Sequence, residues 1–415
     1  MPGTGRVCSS GSEGCMRLRP RVHGLLWLSV ILVGACTERP SAGEPSVIVS
    51  DSAGIQIVTN HASSWSAAEA WEIGDTSVVR IGALDGPPEL TLGIVRAVGW
   101  LPDGRIFVGD EQVSSIRIYS PDGEPLQTVG GHGEGPGELQ WFLTVSTYRG
   151  DSLFVYDYSQ RAVSVFAPDL TFARRFRNPL LQGNYWIQAA LDDGRFLLTS
   201  FGETRLSGGP GIVSDSSLVV IASPEGLPVD TVGSFQLGLR RVGEGGMVQA
   251  SFLLPYAAVA AAGDRILWTA GEPFEYTESD PDGEVVRIVR IMQEPVPITG
   301  EVIRQFEEQY VDGALDEERA ERMRETVRGA QYPAVLPTTG DAVKIDPYDY
   351  RWVARYRPTG SSPVVWEVFD SSGVWQGTVE TPQGLEVHTI GIDQIIGVMR
   401  DEYDVSYVQV HELHR

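Results

Sequence analysis

The chain has 415 residues, 42% hydrophobic, with 32 Lys plus Arg against 55 Asp plus Glu and a formal charge of −23. That length buries one large repeat domain or two ordinary ones, and the acidic balance repels both a nucleic-acid backbone and anionic lipid. The three cysteines, Cys8, Cys15 and Cys36, all lie near the amino end, so the body holds no disulfide, thiolate zinc site or cysteine nucleophile.

Residues 16–36, "MRLRPRVHGLLWLSVILVGAC", have the layout of an export signal. Arg17, Arg19 and Arg21 give a basic start, and Gly24 to Ala35 an apolar segment of twelve residues. A bilayer span needs about 20 apolar residues, so this segment is too short to cross. Its end, "VGAC", resembles the lipobox of bacterial lipoproteins. That resemblance implies cleavage before Cys36 and a diacylglycerol on its thiol; an ordinary signal peptide or a buried helix is the alternative. Met16 opens a complete signal by itself and is the expected start. Residues 37–46, "TERPSAGEPS", read as a flexible tether.

Beyond the tether the chain repeats. "GRIFVGDEQVSSIRIYSPD" (104–122) aligns without a gap to "DSLFVYDYSQRAVSVFAPD" (151–169), 47 residues later. Ile106, Val108 and Asp110 recur as Leu153, Val155 and Asp157, and each copy alternates apolar and polar residues between polar turns. This is the pattern of antiparallel strands joined by tight turns. Looser copies occupy 193–226, 263–291, 349–380 and 393–413. The last stops after its third strand, and "SVVRIG" (77–82) can supply the missing outer one. Four-stranded units at periods of about 40–50 residues mark a β-propeller. The expected fold is all-β: a six-bladed β-propeller over 47–415, closed by pairing its N-terminal strand with the last blade.

"TVGGHGEGPGELQW" (128–141) falls between the fourth strand of the first unit and the innermost strand of the second. It is therefore a crossover whose glycines permit positive φ. A phosphate loop would lead into a helix, whereas a strand follows here. This segment, with "DGRIFVGDEQVSSIRIYSPDGEPL" ahead of it, resembles NHL-type six-bladed propellers, and more closely the six-bladed propeller lipoproteins of Gram-negative bacteria. The resemblance covers roughly 47–415 and implies a lipid-anchored protein of the periplasm or outer membrane. Members of that family without catalytic residues act as binding or scaffold proteins.

Three long excursions, 202–217, 237–252 and 298–340, are of the kinds that emerge on one face of a propeller. The third, between blades 4 and 5, reads as a helical hairpin. Val302, Ile303, Phe306 and Tyr310 form one stripe, Ala320, Met323 and Val327 another, and Asp316 can cap the second helix. Residues ending the second strands face the channel mouth: Asp110, Asp157, Ser200, Ala270, Arg355 and Met399 or Arg400. Asp110 and Asp157 can hold a cation such as calcium, or else cap blade turns. Arg355, Arg357 and Arg400 can clamp a carboxylate or phosphate. After Cys36 only His61, His132, His388, His411 and His414 remain, too dispersed for a zinc site, and no Gly-x-Ser-x-Gly elbow occurs. The leading expectation is a tethered, monomeric, non-catalytic binding protein for a protein, peptide or glycan, without a cofactor. The alternative is a calcium-dependent hydrolase or lactonase at the channel.

Overall fold

The computed structural model describes residues 45–415, apart from 150–151, 178–184, 201–210, 243–247, 250–251, 359–362 and the single positions 226, 256, 264, 272, 313 and 331. The export signal, Cys36 and nearly all of the tether lie outside the described residues.

The alternating repeats form strands, and the strands form six sheets set as blades. Blade 1 comprises Val95–Trp100, Ile106–Asp110, Ser115–Tyr119 and Pro125–Gly130, from the centre outward. Blade 2 follows with Phe142–Tyr148, Ser152–Asp157, Ala162–Phe166 and Phe172–Phe176. Blade 5 (Thr339–Ile345, Arg351–Arg355, Val365–Phe369, Trp375–Glu380) has the same plan. In blade 6, Glu386–Ile390, Gln394–Arg400 and Ser406–His414 receive their outer strand from Glu72–Ile81, which pairs antiparallel with the last strand. The ring is therefore closed by the two ends of the chain, as the repeat count requires. His411 is buried at the seam, its Nδ1 2.7 Å from the Gly74 carbonyl oxygen and its Nε2 3.0 Å from Gln409 Oε1.

Each blade has two apolar faces, so the core is divided among the joints. Phe107, Phe142 and Val145 pack between blades 1 and 2, and Phe154, Tyr156 and Phe196 between blades 2 and 3. Trp352, Trp366 and Ile395 fill the joint of blades 5 and 6, and Tyr119, Ile396 and Val408 that of blades 6 and 1. Aliphatic side chains such as Leu197, Ile221 and Ile266 fill the joint of blades 3 and 4, and burying these apolar side chains, whole aromatics among them at the other joints, is the main force holding the ring together. The glycine-rich stretch is the crossover it was read as. Gly130 has φ +90°, and a Cβ there would lie 2.9 Å from Leu139 Cδ1, so only glycine fits without strain.

Two features depart from the sequence reading. In blade 3 the third and fourth strands, Gly211–Ala222 and Pro228–Val242, form a ribbon paired from Ala222↔Pro228 out to Gly211↔Val242. Much of what reads as two separate loops is thus one extended hairpin. Neither stretch has a proline past Pro228 to interrupt the ladder, and adjacent backbones satisfy each other's N–H and C=O groups.

The second departure is an N-terminal strap. Val47–Ser52 and Ile55–Asn60 form a hairpin that joins blade 4 (Val259–Ala262, Arg265–Thr269, Glu275–Ser279, Val285–Ile291), with Ile55–Asn60 parallel to the outer strand. Asn60 is fully buried. Its amide donates to the carbonyls of Arg290 and Gly373, both at 3.1 Å, and its Oδ1 accepts the Trp375 N–H at 2.9 Å. The chain then bonds along blade 5 (Ser64 and Trp65 N–H to the carbonyls of Trp375 and Gln376) before entering blade 6. The strap ties blades 4, 5 and 6 from outside.

Candidate functional site

Loops joining second to third strands, and crossovers between blades, leave the sheets on one face; the opposite turns are short, closed by bonds such as Ser120 N–H to Glu124 O and Asp370 N–H to Val374 O. The helical excursion lies on the loop-rich face. Helices α1 (Gly300–Val311) and α2 (Glu317–Arg328) are both capped as their sequences require, Asp316 accepting the Arg319 N–H at 2.7 Å. Phe306 and Val327 are buried against Leu253 of the crossover entering blade 4, with Phe252, Leu336 and Tyr356 packed beside them.

The two candidate aspartates are committed to backbone. Asp110 is fully buried; its oxygens accept the N–H groups of Gly93 (3.0 Å) and Gln112 (3.2 Å), and Arg117 pairs with it at 3.0 Å. Asp157 accepts from Gln140 N–H at 2.7 Å, Gln160 N–H at 3.0 Å and the Gln160 side chain at 3.0 Å. Gly93 and Gln140 are 17 residues ahead of their respective aspartates, so the repeat extends to the bonds themselves. Each carboxylate anchors the crossover entering its own blade. In blade 4 Thr269 does this work, accepting the Ala258 N–H at 3.0 Å, and Ala270 lies just past the strand.

The three arginines do not converge. Arg355, 43% exposed, pairs with the fully buried Glu367 inside blade 5. Burial raises the Glu367 carboxyl, against the pull of Arg355 and of Trp375, whose Nε1 donates to it at 2.8 Å. Arg400 is half exposed, 3.7 Å from Asp404, and borders a cleft with Ile94, Gln112 and Ser406. Arg357 borders a different cleft.

That second cleft, about 480 Å³, opens on the loop-rich face between the innermost strands of blades 5 and 6. Its apolar wall is Val364, Trp366 and Leu385; its polar groups are Lys344, Arg357, Glu386 and His388. Lys344 Nζ donates to the His388 carbonyl at 2.8 Å, linking the two blades. Burial pulls the Lys344 amine down to about 8, against the opposing Glu386 carboxylate. Burial, and then the Lys344 charge, bring the His388 imidazole down to about 3, so it is neutral at physiological pH. His388 Nε2 is buried without a hydrogen-bond partner and lies 3.9 Å from Glu386 Oε1.

The sequence marks Arg357 as a candidate and counts His388 only among the dispersed histidines, while Lys344 is not singled out. The missed signal is compositional: Lys344 is the only lysine in the chain, and the other 31 basic side chains are arginine. Among the described residues no group of three or more His, Cys, Asp or Glu side chains is gathered for a metal, and no helix is long and apolar enough to cross a membrane.

No protein-family model and no curated protein matches this chain. Solved structures do. A member of the DUF4221 family from Bacteroides vulgatus is 9% identical, covering 83% of this chain and 99% of its own, with a TM-score of 0.48. Virginiamycin B lyase of Staphylococcus aureus is 8% identical (83% and 100% covered, TM-score 0.42). A gluconolactonase of Xanthomonas campestris is 12% identical (81% and 98% covered, TM-score 0.38). The chain is a six-bladed β-propeller with a helical insertion between blades 4 and 5, and its likeness to these proteins is one of fold.

Proposed function

We propose that this chain is an exported binding protein, tethered through a lipid on Cys36, that offers the loop-rich mouth of its propeller to a protein, peptide or glycan. The observation behind this reading is the concentration of elaboration on one side of a rigid ring. The α1–α2 hairpin has its own small core, which fixes it to the crossovers of blades 4 and 5, while its outer surface carries ion pairs such as Arg304–Glu301 and Arg322–Glu318. Leu315, at the tip between the helices, is 84% exposed. Loops held on a stable scaffold are where recognition concentrates. The calcium-dependent hydrolase has less support, because an ion at Asp110 or Asp157 must displace the N–H groups that fasten two crossovers.

The reading is tested in a Gram-negative host with the full-length chain. Metabolic labelling with an alkyne fatty acid should mark the wild type and not Cys36→Ala. A photo-crosslinker at Leu315 should capture a partner that the same group at Asp122, on the short-turn side, does not. Capture from Asp122 alone, or equal labelling of Cys36→Ala, contradicts it. A rise in melting temperature with calcium that Asp157→Ala abolishes would favour the hydrolase.

A further inference from the structure

Three joints of the ring share a device: a side chain of an innermost strand reaches over to a carbonyl of the next blade. Between blades 2 and 3 it is Thr144 Oγ1 to the Ile187 carbonyl at 2.9 Å, and between blades 6 and 1 it is Thr389 Oγ1 to the Val98 carbonyl at 3.1 Å. Between blades 5 and 6 the donor is Lys344. A hydroxyl serves elsewhere, so a carbonyl donor alone does not call for lysine. Holding an anion does not call for it either, since buried carboxylates such as Asp110, Glu278 and Glu367 are paired with arginine. Lysine differs from both in one respect that matters here: its nitrogen can lose a proton and become a nucleophile.

The surroundings fit that use. The amine stands in a cleft walled by Val364, Trp366 and Leu385, where burial favours its uncharged form. The groups around it are the neutral His388, with Nε2 unpartnered, the exposed Glu386 carboxylate and the Arg357 guanidinium. We propose that Lys344 is a reactive amine that captures a small aldehyde or ketone in the cleft between blades 5 and 6 as a Schiff base. The nitrogen lone pair forms the new C–N bond while the carbonyl π pair moves to oxygen, which takes up a proton. The resulting carbinolamine then expels its oxygen as water. Both hydrogens of the neutral amine leave in that water, so the imine forms without any oxidant or reductant. Arg357, which lines the same cleft, favours a carbonyl compound bearing an acid group. This chemistry is independent of the tether and of whatever docks on the hairpin.

The chain's lack of any other lysine makes the test selective. The full-length Arg304→Lys protein, which adds one exposed amine on α1, is treated with glyoxylate and cyanoborohydride, and adducts are mapped by peptide mass spectrometry. At pH 7 Lys344 should acquire the carboxymethyl adduct at least about tenfold faster than the introduced amine, because a far larger fraction of it is unprotonated. Its rate should level off above about pH 8, where the introduced amine keeps gaining. Lys344→Arg should remove the adduct at that site without changing the α-amine background. Equal rates at the two amines, a Lys344 profile still rising toward pH 10.5, or no adduct at Lys344 overturns the proposal.

Discussion

Blade 5 meets its two neighbours in opposite ways. Toward blade 4, the buried Glu278 receives Arg351 of blade 5 at 2.7 Å and Arg287 at 3.0 Å, and Arg287 also donates to Gln56 of the strap at 2.7 Å. Asn60 closes the outside of the same joint with three hydrogen bonds. Toward blade 6, one lysine reaches a backbone carbonyl, one imidazole nitrogen is unpartnered, and a cleft opens between the strands. At the first joint the charges are held in direct salt bridges; at the second the carboxylate of Glu386 is exposed to solvent, and burial drives both bases toward neutrality. The first joint is built for rigidity, whereas the second holds groups whose protonation state can change.

Breaking the closed joint should have the largest effect. We predict that Glu278→Ala, which removes the buried carboxylate shared by Arg351 and Arg287, lowers the unfolding free energy by about 3–5 kcal/mol in urea titrations. A Glu278→Met/Arg351→Met pair should recover much of that loss; no recovery would mean that the ion pair contributes net stability at this joint. Asn60→Ala should cost about 2–3 kcal/mol, since it leaves the Trp375 N–H and two carbonyls without partners. If that variant unfolds at the wild-type urea midpoint, the strap does not hold the joint.

The open joint is tested by pH. His388 titrates near 3 when folded, against 6.5 ordinarily, so the unfolded chain binds more protons in the window between. Its contribution to stability is whole above pH 6.5 and is lost as the pH falls toward 3. Replacement by Gln should therefore flatten the acid limb relative to wild type, by about 2 kcal/mol between pH 6.5 and 4.5. Parallel curves would show that His388 is not held neutral. At the small end, Arg304→Ala on α1 breaks only exposed pairs to Glu301 and Glu308 and should leave the urea midpoint where it is.

Much of the ring was readable because its signals are local. Alternation along Ile106–Asp110 and its echo at Ser152–Asp157, the capping Asp316 and the stripe at Phe306 each declare themselves within a few residues. The aspartates were recognisable as special, but which groups they bind was not. Each binds one backbone N–H 17 residues upstream, which only the folded crossover brings to it. Blade 3 departs from its sequence pattern because parts of two excursions, each loop-like alone, are strands once paired.

From its order of residues alone, the chain determines six sheets, the borrowed outer strand of the last one and the helical hairpin, since periodicity and capping act over one strand or one turn. Tertiary structure alone decided the strap, whose Gln56 aligns with Arg287 across 231 residues, and the meeting of Lys344 with His388 across 44. Desolvation is the physical reason. An amine's or imidazole's protonation depends on what surrounds it in space, and composition marks a lone lysine without saying which wall it will face.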